Sequence, residues 1–166
     1  MKAKSAFGKG LIMPDRWLGI AVSGDKIVMI DAEVPKTGPL ILQSDTGFRL
    51  QKGARPAAYT VLHQNVSDYV RENKIDRVII KESAASQGGM GKSHLLAAEL
   101  RGVVMAAAAG VTDTMCIAKG NISRTFGERK VDEYLKDESF WAAEISGRLR
   151  ALSREAAMLL LAARDK

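Results

Sequence analysis

Cysteine, histidine and aromatic residues are all scarce in this sequence, and each shortage excludes something. The chain has one cysteine and two histidines in 166 residues. Cys116 can form no disulfide within the chain, and a His/Cys zinc centre has too few ligands to draw on. In the apolar run Thr114-Met115-Cys116-Ile117 the thiol is expected to act as a small buried hydrophobe. Aromatic residues make up 5% of the chain, so the core must come from Val, Ile, Leu, Met and Ala. No stretch approaches the roughly 18 apolar residues of a membrane span. The basic N-terminus lacks the apolar segment of a secretory signal. No membrane partner is therefore expected, and a cytoplasmic location is.

What is present describes a folded domain. Hydrophobic residues are 46% and charged residues 27%, too apolar a balance for disorder. The length suits one compact domain, expected over residues 15–166, behind a flexible basic tail at 1–14. The net charge of +6 is compatible with a polyanionic partner, although the positive residues are spread along the chain.

Arg16 to Val22 and Lys26 to Ala32 are β-rich runs joined by Gly24-Asp25, the pattern of a hairpin. A third strand is expected within Leu40 to Leu50, broken at Asp45-Thr46-Gly47. Pro56 opens a helical pattern carried by Tyr59, Leu62, Val66, Tyr69 and Val70. The β-branched run Val78-Ile79-Ile80 reads as a buried strand. An apolar helix follows from Lys92 to Ala109, then a short strand from Thr114 to Ala118. Short helical pieces at 123–126 and 129–135 precede a last helix from Ser153 to Ala163. The result is an α/β fold: a mixed five-stranded sheet, three antiparallel strands and then alternating helices and strands, flanked by helices.

Three segments sharpen that outline. Leu18-Gly19-Ile20-Ala21 resembles the Leu-Gly-Ile-Asp that begins RuvC-type Holliday-junction resolvases, a branch of the ribonuclease-H-like superfamily. Val78-Ile79-Ile80-Lys81-Glu82, with Leu100-Arg101-Gly102-Val103 beyond it, resembles their central strand and the helix after it. Ser153-Arg154-Glu155 lies where they have an acid opening the last helix. Ser23-Gly24 is similar to a small bacterial family of the same superfamily. The resemblance spans roughly residues 16 to 164, and it implies a ribonuclease-H-like fold and a nuclease ancestry. It implies further that Glu82 and Glu155 are the catalytic, metal-binding carboxylates, facing one another at one end of the sheet. Such enzymes cut phosphodiesters with two divalent ions about 4 Å apart. Mg²⁺ or Mn²⁺ is the cofactor implied for an active protein.

The sequence departs from that pattern at Ala21, where the first acid belongs, and at Leu152, where another does. Asp31 offers no substitute. With Gly24-Asp25 as a two-residue turn, Leu18 pairs with Asp31, whose side chain then points to the face opposite Ala21. Asp25 lies in the turn, away from the required place. The leading expectation is a nuclease-related nucleic-acid-binding protein whose cleavage is weakened or lost. An active Mg²⁺-dependent endonuclease with a rearranged site is the first alternative. Glu155 also has a plainer role, as an acid near the positive end of a helix capped by Ser153.

Gly88-Gly89-Met90-Gly91-Lys92-Ser93 lies between a strand and a helix, as a phosphate-binding loop does. The first glycine of that motif is Ser86 here, which disfavours an NTPase. Lys92 and Ser93, with His94 beside them, remain candidates to position a nucleic-acid phosphate. So do Lys119, Asn121 and Arg124 after the fifth strand. His63 is read as a surface or packing residue. Nucleic acid is the expected partner, DNA ahead of RNA. A homodimer through the Ala-rich helices 92–109 and 153–163 is compatible with the sequence. A nucleotide-binding module at residues 86–93 and a protein-interaction scaffold complete the alternatives.

Overall fold

A computed structural model describes residues 12–84 and 88–165. Residues 1–11 of the expected tail and part of the glycine-rich loop lie outside the described residues. Strands β1 (Asp15–Ser23), β2 (Lys26–Val34) and β3 (Leu40–Arg49) form an antiparallel meander. Helix α1 (Arg55–Glu72) crosses to β4 (Arg77–Lys81), which lies parallel to β1. Helix α2 (Lys92–Ala109) crosses to β5 (Asp113–Ile117), parallel to β4. Three short helices follow: α3 (Lys119–Phe126), α4 (Val131–Leu135) and α5 (Glu138–Glu144). Strand β6 (Ile145–Ser146) and a 3₁₀ turn (Ala151–Ser153) lead into α6 (Arg154–Arg164).

The sheet has six strands, in the order β5-β4-β1-β2-β3-β6, against the five expected. The addition is β6, two residues long, too short to leave a periodic signal, which pairs with Leu40 and Ile41 at the edge. Strand β3 runs unbroken through Asp45-Thr46-Gly47, because cross-strand pairing with Ile30, Met29 and Val28 holds that polar stretch extended. The hairpin register is the one expected, Ser23 with Lys26, Ala21 with Val28 and Leu18 with Asp31. Gly24 takes a positive φ of 61° at the first turn position, which glycine adopts without strain.

Alternation along the strands divides the core in two. Leu18, Ile20, Ile27, Met29, Val78 and Ile80 pack beneath α1 and α2. Trp17, Ala21, Ile30, Ala32 and Ile79 pack beneath α6 on the other face. The tilted and edge-on rings of Phe126, Tyr134, Phe140 and Trp141 hold the short helices α3 to α5 together there. Asp31, fully buried on the α1 side, accepts hydrogen bonds from Arg16 Nε and Nη2, both at 2.7 Å, and from the Tyr69 hydroxyl at 2.8 Å. Burial, foremost, and the Asp31 carboxylate push the Tyr69 hydroxyl up to about 12. This acid is thus a structural anchor for β2 and α1.

Helix α6 is buried from Ala156 through Ala162, covered by the sheet and α3. Its small residues bring it close to β1, where Gly19 leaves the space: a Cβ there would collide with the Ala156 carbonyl oxygen. The helix start is fixed at Asp45. Its carboxylate accepts from the Ser153 hydroxyl at 2.6 Å, the Arg150 amide at 3.0 Å and the Arg150 guanidinium at 2.5 Å. Ser153 therefore does not cap the helix with its side chain as expected; its hydroxyl is committed to β3. Burial alone would raise the Asp45 pKa, but these donors outweigh it and hold the group below the ordinary aspartate value.

Two outcomes follow for stability. Gly19→Ala should destabilise the fold by about 3 kcal/mol in urea unfolding, because backbone rather than a flexible side chain blocks the added methyl. Asp45→Asn should cost about 2 kcal/mol at pH 7, the range for hydrogen bonds to a charged group. A depressed folded-state pKa gives stability that is present above the unfolded aspartate value and lost as pH falls through the folded one. The gap between wild type and Asp45→Asn should therefore be full at pH 6 and shrink progressively below pH 4.

Candidate functional site

The C-terminal ends of β1 and β4 and the first turn of α6 meet at one place. Parallel pairing runs from Trp17 with Arg77 to Ile20 with Ile80, so the next residues along the two strands are Ala21 and Lys81. Both lie on the α6 face: Ala21 is buried in that core, and Lys81 forms an ion pair with Glu155. Lys81 and Glu155 are each partly exposed, with 24% and 39% of their side-chain surface accessible. Burial, foremost, and the nearby Lys119 and Arg101 push the Lys81 ammonium below the ordinary lysine value, while Asp132 opposes them.

Glu82 follows Lys81 and keeps the strand ladder, its amide donating to the Ile117 carbonyl at 3.0 Å. Alternation turns its side chain to the α2 face. Its carboxylate there helps burial to raise the Cys116 thiol, and Arg101 opposes both. Glu155 is thus met by the residue before Glu82, and the two acids project from opposite faces of the sheet end. Cys116 is half-buried at this edge, with its sulfur 3.2 Å from that of Met105. Arg101 reaches Ser83 with one terminal nitrogen, while its buried Nε has no partner among the described residues.

The cationic and polar candidates fall in separate places. Lys119 opens α3 and pairs with Asp132 of α4 at 3.2 Å, on the flank of the sheet end. Asn121 and Arg124 hydrogen-bond one another on α3. With Thr125 and Asp165 they line an open hollow of about 470 Å³. Lys92, Ser93 and His94 occupy the exposed first turn of α2, after Gly91 as cap. Leu152 is 62% exposed in the 3₁₀ turn, and His63 lines a shallow groove between α1 and α2.

This set does not fit a two-ion carboxylate centre. Ala21 offers a methyl, Glu155 is taken by an ammonium, and Glu82 projects from the other face. Among the described residues no group of three or more His, Cys, Asp or Glu side chains could hold a metal ion. No motif in the sequence marks Lys81, although its position is legible there. Counting from Leu18-Gly19-Ile20-Ala21 against Val78-Ile79-Ile80-Lys81 places the lysine beside the alanine. Asp45 and Arg150 left no comparable signal, because they meet only through the tertiary fold.

Neither a protein-family model nor a curated protein matches the sequence. Solved structures do match in fold. Thermus thermophilus RuvC in complex with a Holliday-junction substrate superposes with a TM-score of 0.66 at 12% identity, over 89% of this chain and 91% of that one. A second Thermus thermophilus RuvC structure gives 0.64 at 15% identity, over 89% and 92%. The yeast mitochondrial Holliday-junction resolvase Ydc2 gives 0.63 at 10% identity, over 94% and 82%. The six-stranded sheet, its parallel β1-β4 centre and the closing helix α6 give this chain the ribonuclease-H-like fold in the form taken by RuvC-type resolvases.

Proposed function

We propose that this chain is a nuclease-related protein that binds nucleic acid, DNA ahead of RNA, and whose strand-cleaving activity is weakened or lost. The observation that carries the reading is Ala21, buried near the end of β1 at the position where the resemblance to RuvC-type resolvases implies an acid. A methyl group can neither hold a divalent ion nor orient a water molecule. Mg²⁺ or Mn²⁺ would enter only in the alternative, an active endonuclease with a rearranged site, in which Glu82 and Glu155 would have to be brought to one face to act as its acids. The binding half of the proposal draws on the net charge of +6 and on exposed cations along α2 and α3, namely Lys92, Lys119 and Arg124. Ser93 and Asn121 add neutral donors to the same surfaces. The resemblance to proteins solved as Holliday-junction resolvases makes a branched duplex the first substrate to try.

A homodimer would have to use α2 rather than both Ala-rich helices. Helix α6 is covered by the sheet, whereas α2 keeps Leu95 and Met105 exposed. No helix among the described residues is long and apolar enough to cross a membrane.

The test is anisotropy of a labelled four-way junction, titrated with protein at 50 and 200 mM salt. Four phosphate contacts would weaken binding about a hundredfold across that range. Lys92→Gln with Lys119→Gln should flatten the salt slope by about 2. Absence of binding at 50 mM salt rejects the nucleic-acid reading. Junction cleavage in Mg²⁺ or Mn²⁺ that disappears in Glu155→Gln rejects the loss of catalysis.

A further inference from the structure

A carboxylate at a partly buried sheet end needs a positive charge beside it, or it costs free energy to keep ionised. In a carboxylate cluster that charge is a divalent ion. Here the first turn of α6 still presents Glu155 to the ends of β1 and β4, and the charge that meets it belongs to the chain itself. We infer that the Lys81 ammonium is the resident cation of this site, and that Ala21 and Lys81 together make the sheet end independent of metal. This inference goes beyond the proposed nucleic-acid binding and does not rest on it.

The register carries the argument. Neighbouring strands lie about 4.8 Å apart, so Ala21 and Lys81 are side-by-side residues of one face, with Glu155 above them. An ammonium has three donors and no acceptor, so Lys81 satisfies a carboxylate and coordinates nothing. The charges around it come from four elements: Glu155 on α6, Asp132 on α4, Lys119 on α3 and Arg101 on α2. Lys119 is itself paired with Asp132 at 3.2 Å. A divalent cation arriving here would meet one lysine in the middle of the site and two further cations at its rim. Acidic side chains at both strand positions would reverse that balance and give Glu155 two carboxylate neighbours.

The test is a calorimetric titration with MnCl₂. Wild type should show no saturable binding up to about 1 mM, well above the affinity a three-carboxylate site reaches. The double variant Ala21→Asp with Lys81→Glu should bind one Mn²⁺ at least tenfold more tightly than wild type, and Mn²⁺ should raise its melting temperature. Adding Glu155→Gln should remove that gain. Manganese binding by wild type that Glu155→Gln abolishes overturns the inference, as does a folded double variant that gains no binding.

A pair of thermal melts stands independently of whether the double variant folds. Lys81→Met should lower the melting temperature by about 3 °C. Glu155→Gln placed on top should recover at least half of the loss, because it removes the carboxylate left without a partner. A Lys81→Met variant as stable as wild type, or one not rescued by Glu155→Gln, overturns the role assigned to Lys81.

Discussion

The close approach of α6 to β1 is the constraint on which the rest of this structure depends. Gly19 has no side chain, Ala156 and Ala157 have small ones, and the helix consequently lies directly on the centre of the sheet. That seat places Glu155 at the end of β4, within reach of Lys81. It also sets where the 3₁₀ turn runs, and so which hydroxyl meets Asp45. With a bulkier residue at position 19 the helix would ride farther out, and the charges at the sheet end would lose their partners. The same small residues that admit the helix also make it a poor surface for docking, because hardly any of it remains uncovered.

Much of the fold was legible in the sequence because it rests on local chemistry. The Gly24-Asp25 turn fixed the β1-β2 register, and that register correctly sent Asp31 to the face opposite Ala21. Pro56 marked the opening of α1 to within a residue. Apolar, Ala-rich runs marked α2 and α6, although they are buried very differently: α2 buries Leu100, Val104, Ala107 and Ala108, whereas α6 is buried continuously from Ala156 through Ala162. What was not legible depends on contacts distant in sequence. Strand β6 exists because α5 delivers two residues to the edge of β3, and no two-residue pattern announces a strand. Helix α5 lies beyond the pieces the sequence suggested, and it is held by an aromatic cluster assembled from three helices.

The candidate site was legible in outline and differs in detail for one physical reason. The glutamate that looked like a ligand follows the strand residue facing α6 by one position, and a shift of one position along a strand exchanges faces. The sequence resemblance drew attention to Glu82 as the acid of a familiar string. The pleat instead presents Lys81 to Glu155. Asp31 is the complementary case. Isolated in the sequence it resembles a stray acid, and in the fold it is a buried anchor satisfied by Arg16 and Tyr69.

The seat of α6 also bears on how the chain is made. Trp17, Ile30, Ala32 and Ile79 line a sheet face that α6 covers, yet α6 follows every strand in chain order. During synthesis that face must wait, greasy and uncovered, while β1 to β5 and the short helices emerge from the ribosome. Chaperone attention and the hazard of premature self-association should therefore concentrate on this half of the nascent domain. The opposite half can close as soon as α1 and α2 have been translated.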